Sequence, residues 1–240
     1  MTAATPDTRR PRVICHMIAS LDGRILTHGW PLSDEGRREY EVVHESYDPD
    51  AWICGRVTMQ EHFAQGLRPD DEIAREHHGA PRDDYRAPGE HPSFAFAVDA
   101  SGRLAWETSD IDGDHVVTIL SQRVSDEYLA FLRERGVSYL LAGEKDVDLP
   151  LALEKIAAGY GVRTLMLEGG GKINGGMLRA GLIDEVSVLV APVVDGRMGT
   201  PAVFDIEGDD DDAASYRLAL DSVERRADDV LWLRYRVEPR

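Results

Sequence analysis

The hydrophobic pattern of the chain changes character several times. Residues 12–18 form a β-rich apolar run that predicts a first strand, closed by the turn-like Ala19-Ser20-Leu21-Asp22-Gly23. Ser33-Asp34-Glu35 then sets a hydroxyl cap before two acids, a helix start, and the helix runs to about Ser46. After Pro49, residues 51–54 read as a short buried strand, followed by Gly55 and a helix over 56–64. Periodicity is lost over 65–92, which predicts a long surface excursion or lid. It returns with strands at 93–98 and 115–120, a helix at 125–135 and a strand at 137–141. A helix at 149–158 and a strand at 163–167 follow, then a glycine loop and a helix to residue 180. The last three strand-like segments, 185–191, 216–224 and 230–237, have no helix between them, and the final two flank 225–229 as an antiparallel hairpin. The expected fold class is α/β: one doubly wound, mainly parallel sheet with an antiparallel C-terminal hairpin. Residues 1–11 read as a disordered lead-in and 12–240 as a single domain.

Composition narrows the partners. The 240 residues are 42% hydrophobic and 30% charged, with a net charge of −17. Nucleic acid and anionic membranes need a basic face, so neither is expected. No apolar run approaches the ~20 residues of a membrane span, and the N-terminus lacks the apolar stretch of a secretory signal. Cys15 and Cys54 sit in apolar runs without metal-ligand spacing, which predicts reduced buried thiols and a cytoplasmic location. The acidic run from Glu207 to Asp212 lacks the alternate spacing of a calcium loop and reads as solvated. Adjacent side chains on an extended strand diverge, so His77-His78 is a poor chelator and no metal is expected.

A net negative chain binds a phosphorylated ligand only through local donors. Glu168-Gly169-Gly170-Gly171-Lys172-Ile173-Asn174 directly follows a buried strand and opens a helix. Glycines there let backbone N–H groups approach an anion, and Lys172 adds a charge. The spacing matches neither the dinucleotide fingerprint nor a Walker loop. Gly55-Arg56-Val57-Thr58 and Ser121-Gln122-Arg123 also fall at expected strand ends. Together the three segments suit one elongated, multiply phosphorylated ligand.

Gly55-Arg56-Val57-Thr58 and Leu120-Ser121-Gln122-Arg123 resemble the phosphate-contacting segments of dihydrofolate reductases. Ala19-Ser20-Leu21-Asp22-Gly23, Trp30, Gly55-Arg56-Val57-Thr58, Glu168-Gly169-Gly170-Gly171, Gly181-Leu182-Ile183-Asp184-Glu185 and Ala191-Pro192 together resemble the pyrimidine reductases of riboflavin biosynthesis. Such enzymes form the C-terminal half of bacterial bifunctional deaminase-reductases and share the dihydrofolate reductase-like fold. The match runs from about residue 12 to 204, with 65–92 as an insertion. The resemblance implies an NADPH-dependent reductase of a heterocyclic small molecule, similar to the 5-amino-6-(5-phosphoribosylamino)uracil reductases. It implies cofactor contacts at Ala19, Trp30, Gly55, Thr58 and residues 169–174. Arg56, with Ser121 or Arg123, favours the 2′-phosphate of NADP. Glu168 lies between cofactor and substrate, Asp22 near the nicotinamide and Ser33 on the substrate side. A homodimer through the C-terminal strands is also implied.

The chain departs from the family on its substrate half. Ser46 stands near the position of a substrate-phosphate arginine, and Met59-Gln60-Glu61-His62-Phe63 replaces an Asp-Asp-Pro-type continuation. Two alternatives therefore stay open: a dihydrofolate reductase-type activity on a pteridine, or a non-catalytic NADP(H)-binding protein. For proton delivery the candidates are Asp22 and Glu168, with Asp22 equally a turn residue and Glu168 equally an orienting acceptor. His16, His28, His44 and His115 have no triad-like context in the sequence.

Overall fold

Strand β1 (Arg12–Ala19) is buried at every position from Val13 to Met17 in the computed structural model, which describes residues 9–68, 82–206 and 215–238. After it come α1 (Asp34–Ser46), β2 (Ala51–Gly55), α2 (Arg56–His62), β3 (Phe94–Val98), β4 (Asp110–Ile111) and β5 (Asp114–Leu120). Then follow α3 (Asp126–Glu134), β6 (Ser138–Leu141), α4 (Leu149–Tyr160), β7 (Thr164–Leu167) and α5 (Gly171–Arg179). The chain closes with β8 (Glu185–Val190), β9 (Leu218–Arg225) and β10 (Leu231–Val237). The lead-in to residue 8, His77-His78 and the acidic run from Glu207 to Asp212 lie outside the described residues. Among the described residues no helix is long and apolar enough to cross a membrane.

The chain divides into two compact units, one of Arg12–Pro49 with Thr164–Arg240, the other of Met1–Pro11 with Asp50–Arg163. In the first, β1 lies between two parallel neighbours, β7 (Cys15 opposite Leu167) and β8 (Ile14 opposite Glu185). Two parallel neighbours give β1 no free edge, and its near-continuous apolar run suits a strand buried on both faces. The antiparallel end is the expected hairpin: β10 pairs with β8 and β9 with β10, with an irregularity between Arg234 and Tyr235. Among the described residues β9 pairs only with β10, and it is mostly exposed, including Leu220 and Val223.

Helix α1 begins where its cap residues direct. The Ser33 hydroxyl accepts from Gly36 N–H at 3.1 Å, and Asp34 and Glu35 occupy the first turn. Tyr40, Val43 and Tyr47, spaced three and four apart, pack on Leu189, Val230 and Trp232 of the sheet. Fully burying an aliphatic side chain such as Val43 contributes roughly 1.5–3 kcal/mol. The hairpin turn holds the other end of this contact: Asp228 accepts from Ser33 N–H at 2.7 Å, and Arg226 pairs with Glu39 at 2.8 Å.

In the second unit β2, β3, β5 and β6 are parallel, and the short β4 turns back antiparallel on β5. Residues 82–87, the end of the expected excursion, are tied to the sheet. Tyr85 exchanges two 2.9 Å backbone hydrogen bonds with Tyr139, and Ala87 N–H donates to Ser138 Oγ. His115 lies beside this strap with Nε2 2.7 Å from Ser138 Oγ, its ring stacked on His91 at 3.7 Å. Burial, then His91, then Arg86 push its pKa down to about 4. Unfolded, His115 takes up a proton below about 6.5. Folded, it resists until about 4. Stability contributed by the neutral ring is therefore present above about pH 6.5 and lost as pH falls toward 4. His115→Gln, which keeps a polar group near Ser138 and cannot titrate, is expected to flatten this loss. Urea midpoints at several pH values measure it, and an unchanged acid slope in the variant rules out His115 as the cause.

Candidate functional site

Strand β7 delivers the glycine turn. Leu165, Met166 and Leu167 are fully buried, which fixes the point where Glu168 leaves the sheet. Gly169 then takes φ +97, a left-handed conformation that favours glycine, and a Cβ there would lie 3.1 Å from Met17 Cε. The Gly169–Gly170 peptide is cis. Gly170 is the N-cap of α5, with no side-chain cap and no acid in the first turn. The start of α5 thus offers its N–H groups and positive dipole end to an anion.

The opposite face of α5 is closed by residues 202–206. A Cβ on Gly171 would fall 2.4 Å from both Ala202 O and Asp205 Oδ2, and Asp205 N–H donates to Gly171 O at 2.9 Å. Asn174, one turn on, is fully buried and donates Nδ2–H to Val203 O at 2.8 Å. Its backbone N–H bonds to Gly170 O. The Asn174 side chain is therefore turned onto 202–206, while Lys172 is exposed and Ile173 half-buried.

Glu168 has a partner that no local pattern signalled. His44 of α1 brings Nδ1 to 2.7 Å from Glu168 Oε1, with both side chains largely enclosed. His16, on β1, is fully buried, with Nδ1 3.1 Å from Ser187 Oγ and Nε2 3.1 Å from Tyr40 O. A carbonyl can only accept, so Nε2 carries the ring proton. Burial holds the pKa of His16 down, partly opposed by Glu168. Burial first, and the Glu168 charge second, push the Cys15 thiol up.

Asp22 has a different setting. It accepts from Ser20 Oγ at 2.7 Å and from the backbone N–H groups of Asp195 and Gly196, both at 2.9 Å. Those bonds, the Ser20 hydroxyl foremost, pull its pKa to about 2. Asp22 thus clamps the turn to residues 195 and 196. Trp30 is buried with Leu32, Ala191 and Val193, and its Nε1–H reaches Asp195 at 3.2 Å. Ala19 is buried at the end of β1, and the Ser33 hydroxyl is engaged as a helix cap.

In the other unit Gly55 caps α2, again with no side-chain cap and no acid in the first turn. Arg56 donates to Gln60 one turn on at 3.0 Å, and Thr58 is half-buried beside it. Ser121 is fully buried and donates to Ala100 O at 2.8 Å, while its Oγ accepts from Arg123 N–H. Its hydroxyl thus fastens the loop after β3 to the end of β5. Asp99, in that loop, was not visible as a candidate in the sequence. It is buried, accepts from the Arg103 and Leu104 N–H groups, and has its pKa raised by burial against the pull of Arg56.

The family described as the RibD C-terminal domain matches residues 11–232. The chain belongs to this family. A relative from Methanothermobacter thermautotrophicus, named 2,5-diamino-6-ribosylamino-4(3H)-pyrimidinone 5′-phosphate reductase, is 33% identical over 88% of this chain and 91% of its own length. A relative of the same name from Archaeoglobus fulgidus is 25% identical over 82% of this chain and 88% of its own length. Among solved structures, a pyrimidine reductase-like protein from Corynebacterium diphtheriae superposes with a TM-score of 0.70 at 19% identity, over 99% of this chain and 96% of that one. At that identity the likeness shows the fold, which is that of the RibD-like reductases. As a member of this reductase family the chain is an oxidoreductase, and the family match covers both the glycine turn and its His44 partner.

Proposed function

We propose that this chain is an NADPH-dependent reductase of a ribosylaminopyrimidine 5′-phosphate, the substrate class named for its archaeal relatives. The observation that carries the reading is the distribution of helix caps. Among the described α-helices, α1, α3 and α4 are capped by the side chains of Ser33, Ser125 and Asp148. The two without a side-chain cap are α2 and α5, each behind a glycine and each free of first-turn acid. A side-chain cap satisfies the N–H groups that an anion would otherwise take, so its absence at these two starts keeps them available for phosphate.

The residues present fit the cofactor. Gly169 takes a left-handed conformation that favours glycine and a Cβ there would crowd Met17, and α5 has no acid of its own in its first turn. Gly170, Gly171, Lys172 and Ile173 would hold a phosphate by backbone N–H and charge. Within the other unit, Gly55, Thr58, Arg56 and Arg123 would offer donors of their own to a phosphate, with Arg56 favouring NADP over NAD. When bound, NADPH supplies the hydride. Reducing a C=O or C=N carbon also requires a proton at the heteroatom, and Glu168 is the side chain assigned to that transfer. The exposed Leu220, Val223 and Leu231 of the C-terminal strands support a homodimer through that edge.

The test is NADPH oxidation, followed by the loss of its near-ultraviolet absorbance. Three substrates serve: the diaminoribosylaminopyrimidinone phosphate, its deaminated uracil counterpart and dihydrofolate. Turnover is expected with a ribosylaminopyrimidine and not with dihydrofolate. Turnover of dihydrofolate alone supports the pteridine activity instead. Binding of NADPH without oxidation by any of the three establishes the non-catalytic alternative, and no binding removes the cofactor assignment.

A further inference from the structure

The sequence offers no reason to connect His44 with chemistry, and the proposed reaction assigns it no part. Its place in the fold is nonetheless specific. His44 lies one turn after Tyr40, whose ring packs on His16 at 4.4 Å and whose carbonyl binds His16 Nε2. The core packing of Val43 fixes the rotation of α1 about its axis. Helix α1 thereby presents the His44 ring to Glu168, 124 residues away in sequence, at 2.7 Å. Glu168 itself follows the buried Leu165, Met166 and Leu167 and precedes Gly169, which packs near Met17. One carboxylate oxygen, Oε1, is therefore engaged by an imidazole mounted on a rigid helix.

We propose that His44 is a positioning residue for Glu168. With Glu168 Oε1 as the acceptor, the 2.7 Å contact places the proton on His44 Nδ1 and leaves Oε2 for the reaction. That bond fixes the side-chain torsions of Glu168, keeping Oε2 in one orientation at the glycine turn. A carboxylate without this tether samples several rotamers, and misplacing a reacting group by about 1 Å can cost on the order of a hundredfold in rate. This role rests on the reductase reading above, because it matters only if Glu168 faces a substrate.

The bond makes a prediction independent of activity. A solvent-exposed neutral histidine prefers the Nε2–H tautomer, whereas this geometry demands Nδ1–H. Nitrogen-15 NMR of the ring on the cofactor-free protein, assigned by the signal lost in His44→Asn, should show Nδ1 as the protonated nitrogen at alkaline pH. In Glu168→Ala the ring should revert toward Nε2–H. A predominantly Nε2–H ring in the unmodified protein overturns the proposal.

The second arm is kinetic. His44→Leu should lower kcat by roughly tenfold or more. Its dissociation constant for NADPH and its melting temperature should stay near those of the parent. His44→Asn, whose amide can donate from nearly the Nδ1 position, should recover most of the rate, a rescue that a merely packing role does not predict. Unchanged kcat in His44→Leu, or equal losses in the Leu and Asn variants, overturns the role. If the parent protein oxidises NADPH with none of the substrates, the reductase reading fails and so does this role. The tautomer measurement then still decides whether the His44–Glu168 bond exists.

Discussion

Replacing Gly170 by Asp is expected to weaken NADPH binding by roughly a hundredfold or more, because like charges brought together in a binding site cost several kcal/mol. The same substitution should leave the fold as stable as before or slightly more so. Gly170 is the N-cap of α5 with φ −78 and ψ −172, an extended conformation that Asp adopts readily. Asp is also among the best N-cap residues. Its carboxylate would accept from the first-turn N–H groups and so occupy the place proposed for the cofactor phosphate. Affinity and stability therefore move in different directions, which separates loss of a binding site from loss of structure. Fluorescence titration with NADPH gives the first quantity and thermal melting the second. Unchanged NADPH affinity in Gly170→Asp would remove the helix start from the cofactor site, whatever the melting temperature.

The second large effect is expected at Glu168. Glu168→Gln keeps the size of the side chain and an oxygen able to accept from His44, and it removes the capacity to carry a proton. Loss of a general acid–base group typically costs 10²–10⁴ in rate. A fall in kcat of about a hundredfold or more is expected, with NADPH affinity changed by less than about twofold. Steady-state kinetics on the accepted ribosylaminopyrimidine, alongside the NADPH titration, measure both. A variant that raises KM with kcat intact would make Glu168 a substrate-binding acceptor and return the proton to another source.

Much of the framework was legible because it rests on local signals. Ser33-Asp34-Glu35 marked the start of α1 through hydroxyl capping and the helix dipole, and the structure has its N-cap at Ser33. The apolar runs at 12–18 and 163–167 became β1 and β7, since an unbroken apolar run suits a strand buried on both faces. The C-terminal hairpin followed from strand-like segments with no helix between them. Helix α2 ends at His62 rather than Ala64, a difference that depends on how its last turn packs. The short β4 escaped notice because two residues carry too little pattern to read.

Positions fared differently from elements. Asn174 and Ser121 lie in the motifs that suggested them, yet their side chains are turned inward to Val203 and Ala100. A motif fixes which residues are near one another along the chain and leaves open which way each faces. The indole of Trp30 is in the core for the same reason.

The sequence by itself determined where most strands and helices run, and that Glu168 and a glycine turn follow a buried strand. Those are properties of neighbouring residues: hydrophobic period, capping chemistry and the freedom of glycine. Only the tertiary structure decided that Asp22 is clamped by two distant N–H groups, and that Glu168 meets His44. These contacts span more than a hundred residues of sequence. They depend on β1 pairing with both β7 and β8, which brings chain segments together that no local pattern links.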